Sequence, residues 1–208
     1  APPAYTDPPW RLRYRALAAS RGDCAALRGA LADSDWPVRL RAADLAGPEC
    51  AGDSALVRAL LRWAVAPPPD GARSPGGASW QPAAHALVAL ARLVPGDAGL
   101  LVQRPAASPV PWLRASAARA AVLLADTALL RRLANDMDDN VKEAAIEALS
   151  RLAGHAADDA YLPALYAHGY QAVRAGARAL QGSPRGGDVL GAALAAAHRR
   201  RADTSETS

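Results

Sequence analysis

The side chains able to do chemistry in this 208-residue chain are few and scattered. His85, His155, His168 and His198 stand in none of the spacings that bring two imidazoles to one metal or one imidazole to a nucleophile. Cys24 and Cys50 are the only cysteines, too few for a structural zinc site. Asp136, Asp138, Asp139 and Asn140 offer oxygen ligands to calcium, but no glycine-centred loop with a distant glutamate follows. Carboxylates directly before a helix serve more simply as caps. There is no phosphate-binding loop and no nucleophile elbow. The sequence therefore predicts no catalytic, cofactor-binding or metal-ligating residues and implies no cofactor.

What the chain does contain is a recurring phrase. In Asp138 to Leu152 the apolar residues Val141, Ala145, Leu149 and Leu152, joined by Ala148, recur at three- and four-residue steps and predict one stripe on a helix. Taking Val141 as anchor, the same phrase returns at Leu12, Val38, Pro82, Leu113 and Val173. Arg13, Arg39, Ala83, Arg114 and Arg174 then stand opposite Lys142. Four residues past each anchor lies an alanine: Ala16, Ala42, Ala86, Ala117, Ala145 and Ala177. A small residue at one fixed point of six helices is what close helix packing requires.

The pattern Asp-x-x-Val-Arg, then Ala, then Leu resembles the HEAT repeat family in its short bacterial form. Asp35 to Leu45, Asp138 to Leu149 and Val173 to Leu180 carry the match, which is weaker at Trp112 to Leu124 and weakest at Trp80 to Leu93. The resemblance implies an all-α fold, a right-handed α-solenoid of about six helix pairs with incomplete repeats at both ends. It implies a single domain over 1–208, with an N-terminal extension at 1–8, a flexible insertion at 67–78 and a polar tail at 202–208. A start without methionine and an array that opens and closes mid-repeat point to a fragment of a larger protein.

Inner helices are predicted from Pro9 to Ser20, Trp36 to Ala46, Ser79 to Leu93, Val110 to Ala125, Asp139 to Ala153 and Tyr170 to Gln181. Asp7 is the expected cap of the first. Outer helices are predicted from Cys24 to Ala32, Ser54 to Ala66, Ala98 to Val102, Thr127 to Asn135, Asp158 to His168 and Asp188 to Arg201. No stretch approaches the ~20 apolar residues of a membrane span.

Three sets of residues are candidates for function. The basic ladder of Arg13, Arg39, Arg114, Lys142 and Arg174 resembles residues that pair, in the family, with acidic turns of adjacent repeats, here Asp33, Asp35, Asp136, Asp138 and Asp139. The rival reading is a phosphate-tracking stripe, disfavoured because net charge is only +4 and acids are interspersed. Arg15, Arg41 and His85, three past their anchors, are candidates for a cationic partner-binding face, with ordinary solvated surface as the plain alternative. Trp36, Trp80 and Trp112 mark helix starts, like Trp10 and Tyr170. They are either staples over the preceding turn, the favoured reading, or an aromatic edge for a partner.

Cys24 and Cys50 occupy equivalent places, each 12 residues past its anchor. A disulfide between them and two free buried thiols both remain open, and a disulfide would argue for export. The compartment, cytoplasmic or exported, is not decided.

The function expected is a non-catalytic scaffold that binds a protein or peptide, with an acidic peptide as the suited partner and nucleic acid disfavoured. In bacterial proteins that the array resembles, such a module can accompany a catalytic domain, cyclophilin-type prolyl isomerases among them. The alternatives are a nucleic-acid binder and an enzyme built on a HEAT-like array, of the alkylpurine DNA glycosylase or phycobilin lyase type. That enzyme needs an acid facing a groove between aromatic walls. Asp44 and Glu147 lie on inner helices, and in sequence neither has an aromatic neighbour.

Overall fold

The computed structural model describes residues 7–65 and 80–206, the last five of these by backbone alone. The expected insertion at 67–78 and most of the expected extension at 1–8 lie outside the described residues. The chain is all-helical, with no strand among the described residues. It divides into two compact units, one ending at Pro105 and one beginning at Ala106.

The first unit holds α1 (Pro9–Ala16), α2 (Cys24–Ala30), α3 (Trp36–Leu45), α4 (Ser54–Val65), α5 (Gln81–Leu93) and α6 (Pro95–Leu101). A short α7 (Gln103–Ala106) lies at the division. Proline occupies the first turn of α1, α3, α5 and α6, where its fixed φ suits the helix and its missing N–H costs nothing. Asp23 and Asp53 cap α2 and α4 by accepting from the N–H groups of Ala26 and Leu56, both at 3.0 Å. Asp7 does not cap α1 as expected. Pro8 flanks the helix, and the Asp7 carboxylate turns to Arg11 and Arg15.

α1, α3 and α5 pack in sequence, with α2 against α3 and α4, and α4 against α5. Leu27, Val38, Leu45, Leu56, Leu60, Leu87 and Leu90 fill the space between the layers. Cys24 and Cys50 form a disulfide with Cα atoms 5.4 Å apart, joining the start of α2 to a 3₁₀ turn, Pro48–Cys50, after α3.

The second unit holds α8 (Pro111–Leu123), α9 (Thr127–Leu133), α10 (Asp139–Ala153), α11 (Asp158–Tyr161), α12 (Tyr170–Ala179) and α13 (Gly186–Glu206). α8, α10 and α12 pack in sequence, with α9 against α8 and α10. The helix expected from Asp158 to His168 is split. Pro163 supplies no N–H, and the chain tightens into a 3₁₀ turn over Leu162–Tyr166. The expected polar tail at 202–208 is helical as far as Glu206.

The alanine contact holds at four of its six positions. Ala42, Ala86, Ala117 and Ala145 are fully buried. Ala16 and Ala177 are exposed. At the first, the chain leaves α1 through a 3₁₀ turn, Leu17–Ser20, whose tighter winding turns Leu17 into the core instead. At the last, the buried stripe is Ala172, Ala175, Gly176 and Leu180, one residue out of step with the expected phase. Gly176 is the small residue there, since a Cβ on it would lie 2.8 Å from the Ala164 Cβ and 3.1 Å from the Tyr161 carbonyl oxygen.

That phase is testable. Gly176→Leu should lower stability by more than about 2 kcal/mol through overpacking. Ala177→Leu should stay within about 0.5 kcal/mol, because its side chain faces water. Thermal unfolding of the two variants decides, and equal losses would contradict the assignment. Reducing the disulfide should remove about 3 kcal/mol for a sequence separation of 26, measured by denaturant unfolding with and without reductant.

Candidate functional site

The basic ladder is engaged with turns inside each unit. Arg13 donates through Nε to Asp33 at 2.8 Å and through Nη2 to Asp35 at 2.6 Å. Arg39 grips the same turn from the other side, donating to the carbonyls of Asp33 and Ser34 at 2.8 and 3.0 Å. In the second unit Arg114 does both tasks. Its Nη1 reaches the carbonyls of Ser108 and Pro109, and its Nε and Nη2 form a two-pronged pair with Asp136 at 2.7 Å each.

The C-terminal rungs differ. Lys142 pairs with Asp139 within its own helix, at 2.8 Å. Asp139 in turn accepts from the Gly169 N–H and holds the start of α12. Arg174 meets Glu143 of α10 instead of an acidic turn. Asp138 caps α10.

The partner-binding candidates come together in part. A cavity of about 720 Å³ in the first unit is lined by α1, α3 and α5, and Arg15, Trp36 and His85 all face it. Trp10, Arg11 and Tyr14 complete the α1 wall, Pro37, Leu40 and Asp44 the α3 wall, and Asp35 stands at the start of α3. Trp10 and Tyr14 meet edge to face with ring centroids 6.5 Å apart. Arg41 lies over the Tyr14 ring at 5.4 Å, and Arg11 over Trp10 at the same distance. Trp80 is half-buried just before α5 and does not line the cavity, while Trp112 belongs to the second unit.

Trp36 is 43 % and Trp112 47 % exposed. Arg15, Arg41 and His85, the candidates for a cationic face, each have a partner within the unit. Arg15 is bound to Asp7 at 2.6 Å, Arg41 rests on Tyr14, and His85 Nδ1 meets Asp44 Oδ1 at 2.6 Å. Asp44 has no aromatic neighbour in sequence, but folding brings Trp10, Tyr14 and Trp36 to the cavity that it lines. The signal was in the sequence as a four-residue rhythm: Trp10 and Tyr14 on one helix, Trp36, Leu40 and Asp44 on the next.

A second polar cluster is structural. Asp158, buried to 1 % exposure, accepts from Ser183 and meets His155 Nδ1 at 3.1 Å. Tyr161 donates to the Gly154 carbonyl at 3.0 Å; burial, aided by Asp158, pushes its hydroxyl up to about 12. No group of three or more metal-ligating side chains gathers among the described residues. No helix among them is long and apolar enough to cross a membrane.

No protein-family profile matches this chain, and no curated protein matches it by sequence. Among solved structures, an engineered protein determined as a structural-genomics target is similar over 86 % of this chain and 83 % of its own. The two are 17 % identical, with a TM-score of 0.49.

The Arg114 pair carries a pH dependence. Burial pushes the Asp136 carboxyl up, but the Arg114 guanidinium and the Asp138 N–H outweigh it and hold the group below the usual carboxylate range. A carboxyl with a lowered folded value adds stability that is complete above its unfolded value of about 4 and lost as pH falls through the folded one. Melting temperature should therefore fall on acidification below about pH 4. In Asp136→Asn the acid limb should be shallower and the neutral melting temperature lower. Identical acid limbs in the two proteins would contradict the assignment.

Proposed function

We propose that this chain is a non-catalytic binding scaffold whose helix pairs are HEAT-like repeats of a right-handed α-solenoid, and that it holds a protein or peptide segment in the α1/α3/α5 cavity. The observation that carries this is the cavity wall itself. Trp10, Tyr14, Trp36 and Leu40 offer apolar area on rigid helices, with polar groups at the edges to orient a ligand. Exposed aromatic rings held by a packed layer supply contact area at little ordering cost. The repeat reading is supported by the shared guanidinium-to-turn bonds at Arg13, Arg39 and Arg114.

A second reading is favoured by one observation, the placement of Asp44 in a cavity with aromatic walls. An enzyme on a HEAT-like array, of the alkylpurine DNA glycosylase type, needs such an acid between aromatic walls, and this makes an enzyme of that type the alternative. Release of alkylated bases from alkylated duplex DNA, lost in Asp44→Asn, would establish it in place of the scaffold.

The scaffold reading is tested by selecting displayed 12-residue peptides on the full chain. Enriched peptides should change tryptophan fluorescence on binding, and Trp36→Ala should weaken them by about 2 kcal/mol, roughly thirtyfold. Absence of enrichment, or binding indifferent to Trp36→Ala, would overturn it.

A further inference from the structure

We infer that the α1/α3/α5 cavity takes a proline-rich segment of a partner protein in the extended polyproline II form. This rests on the scaffold reading above and names the chemistry of its ligand. The cavity wall offers ring surface and hydrogen-bond donors, while the charges around it are already paired.

Every charged side chain that lines the cavity has a partner. Arg15 meets Asp7 at 2.6 Å, and Arg11 lies over Trp10 and beside the same carboxylate. Asp35 is held by Arg13 at 2.6 Å, and Asp44 meets His85 at 2.6 Å with Arg92 close by. A charged ligand group would have to displace one of these partners and leave it unpaired. An uncharged segment leaves all the pairs in place.

The polar tips of the rings are a different matter. Trp10 and Tyr14 on α1 and Trp36 at the start of α3 all face the cavity. Among the described residues, neither indole N–H and no group on the Tyr14 hydroxyl has a hydrogen-bond partner. An indole N–H can only donate, and Trp and Tyr tips that become buried ordinarily have a partner. A ligand that covers these rings takes water from their tips and must bring acceptors of its own.

A polyproline II segment brings acceptors without donors. It makes no internal hydrogen bonds, so its carbonyl oxygens are free, and each proline lacks an N–H. That second property matters because the side-chain carboxylates on the wall, Asp35 and Asp44, already receive bonds and an added N–H would compete for them. Such segments also lay their proline rings on aromatic side chains and are ordered before they bind. The rings here are braced in turn, with Arg11 over Trp10 and Arg41 over Tyr14, each at 5.4 Å. The volume, about 720 Å³, suits a few residues of an extended chain more than the face of a folded domain.

The experiment titrates a 12-residue polyproline peptide and a 12-residue Gly-Ser peptide into the full-length protein at low and high salt, followed by tryptophan fluorescence. Polyproline should bind at least about tenfold more tightly, with an affinity that salt changes by less than about twofold. Tyr14→Phe keeps the ring and removes the hydroxyl, and should weaken polyproline about fivefold. Displayed 12-residue peptides enriched on the full-length protein should be rich in proline, and changing those prolines to alanine in a synthetic copy should weaken it about tenfold. That ligand-side comparison holds even if the protein variant fails to fold. Polyproline binding no tighter than Gly-Ser, affinity unmoved by Tyr14→Phe or by the alanine changes, or enrichment of charged peptides without proline would overturn the inference. The scaffold reading would stand in each case where the enriched peptides depend on Trp36. No enrichment at all would overturn both.

Discussion

A guanidinium that donates backwards to the carbonyls of the turn before its own helix and forwards to an aspartate of the next turn can do both only while the two turns keep a fixed spacing. Arg114 does this in one side chain, with Ser108 and Pro109 behind it and Asp136 ahead. In the first unit the labour is divided: Arg13 holds the Asp33–Asp35 turn from one side and Arg39 from the other. Both members of the Arg114–Asp136 pair are nearly buried, so losing either would leave a desolvated charge behind. Such a pair defines spacing more than it adds stability.

The cavity follows from that spacing. Trp36 begins α3 immediately after the turn that Arg13 and Arg39 hold, which places its ring relative to Trp10 and Tyr14 on α1. Buried alanines bring the inner helices close, Ala42 on α3 and Ala86 on α5 among them. Helices at that separation leave their four-residue rows of larger side chains facing outward. Trp36 and Asp44 belong to one such row, with Leu40 buried between them, and Arg11 and Arg15 lie on another.

The helices were legible because the apolar rhythm is strong and the punctuation explicit: aspartate caps, prolines in first turns, and a glycine at 154 where the chain takes a φ of +50°. Phase was not legible at the ends. In Tyr170 to Leu180 both Ala177 and Gly176 are small, and only Ala164 and the Tyr161 carbonyl across the contact select the glycine. The partners of charged groups were not legible for a related reason. The sequence shows Arg15, Arg41 and His85 as cations on one face, but cannot show that Asp7, Tyr14 and Asp44 already meet them. The aromatic surroundings of Asp44 were hidden because Trp10 and Tyr14 sit some thirty residues earlier in the chain. The disulfide, left open by spacing alone, needed the 5.4 Å Cα separation that folding provides.

If the guanidinium bonds set the spacing of the turns, Arg114 and Asp136 must act as one unit. A double-mutant cycle of Arg114→Met and Asp136→Leu, read by denaturant unfolding, measures this directly. The account predicts a coupling energy of about 1.5 kcal/mol or more, with the double variant far less damaged than the two single losses added together. Additivity within about 0.5 kcal/mol would contradict it.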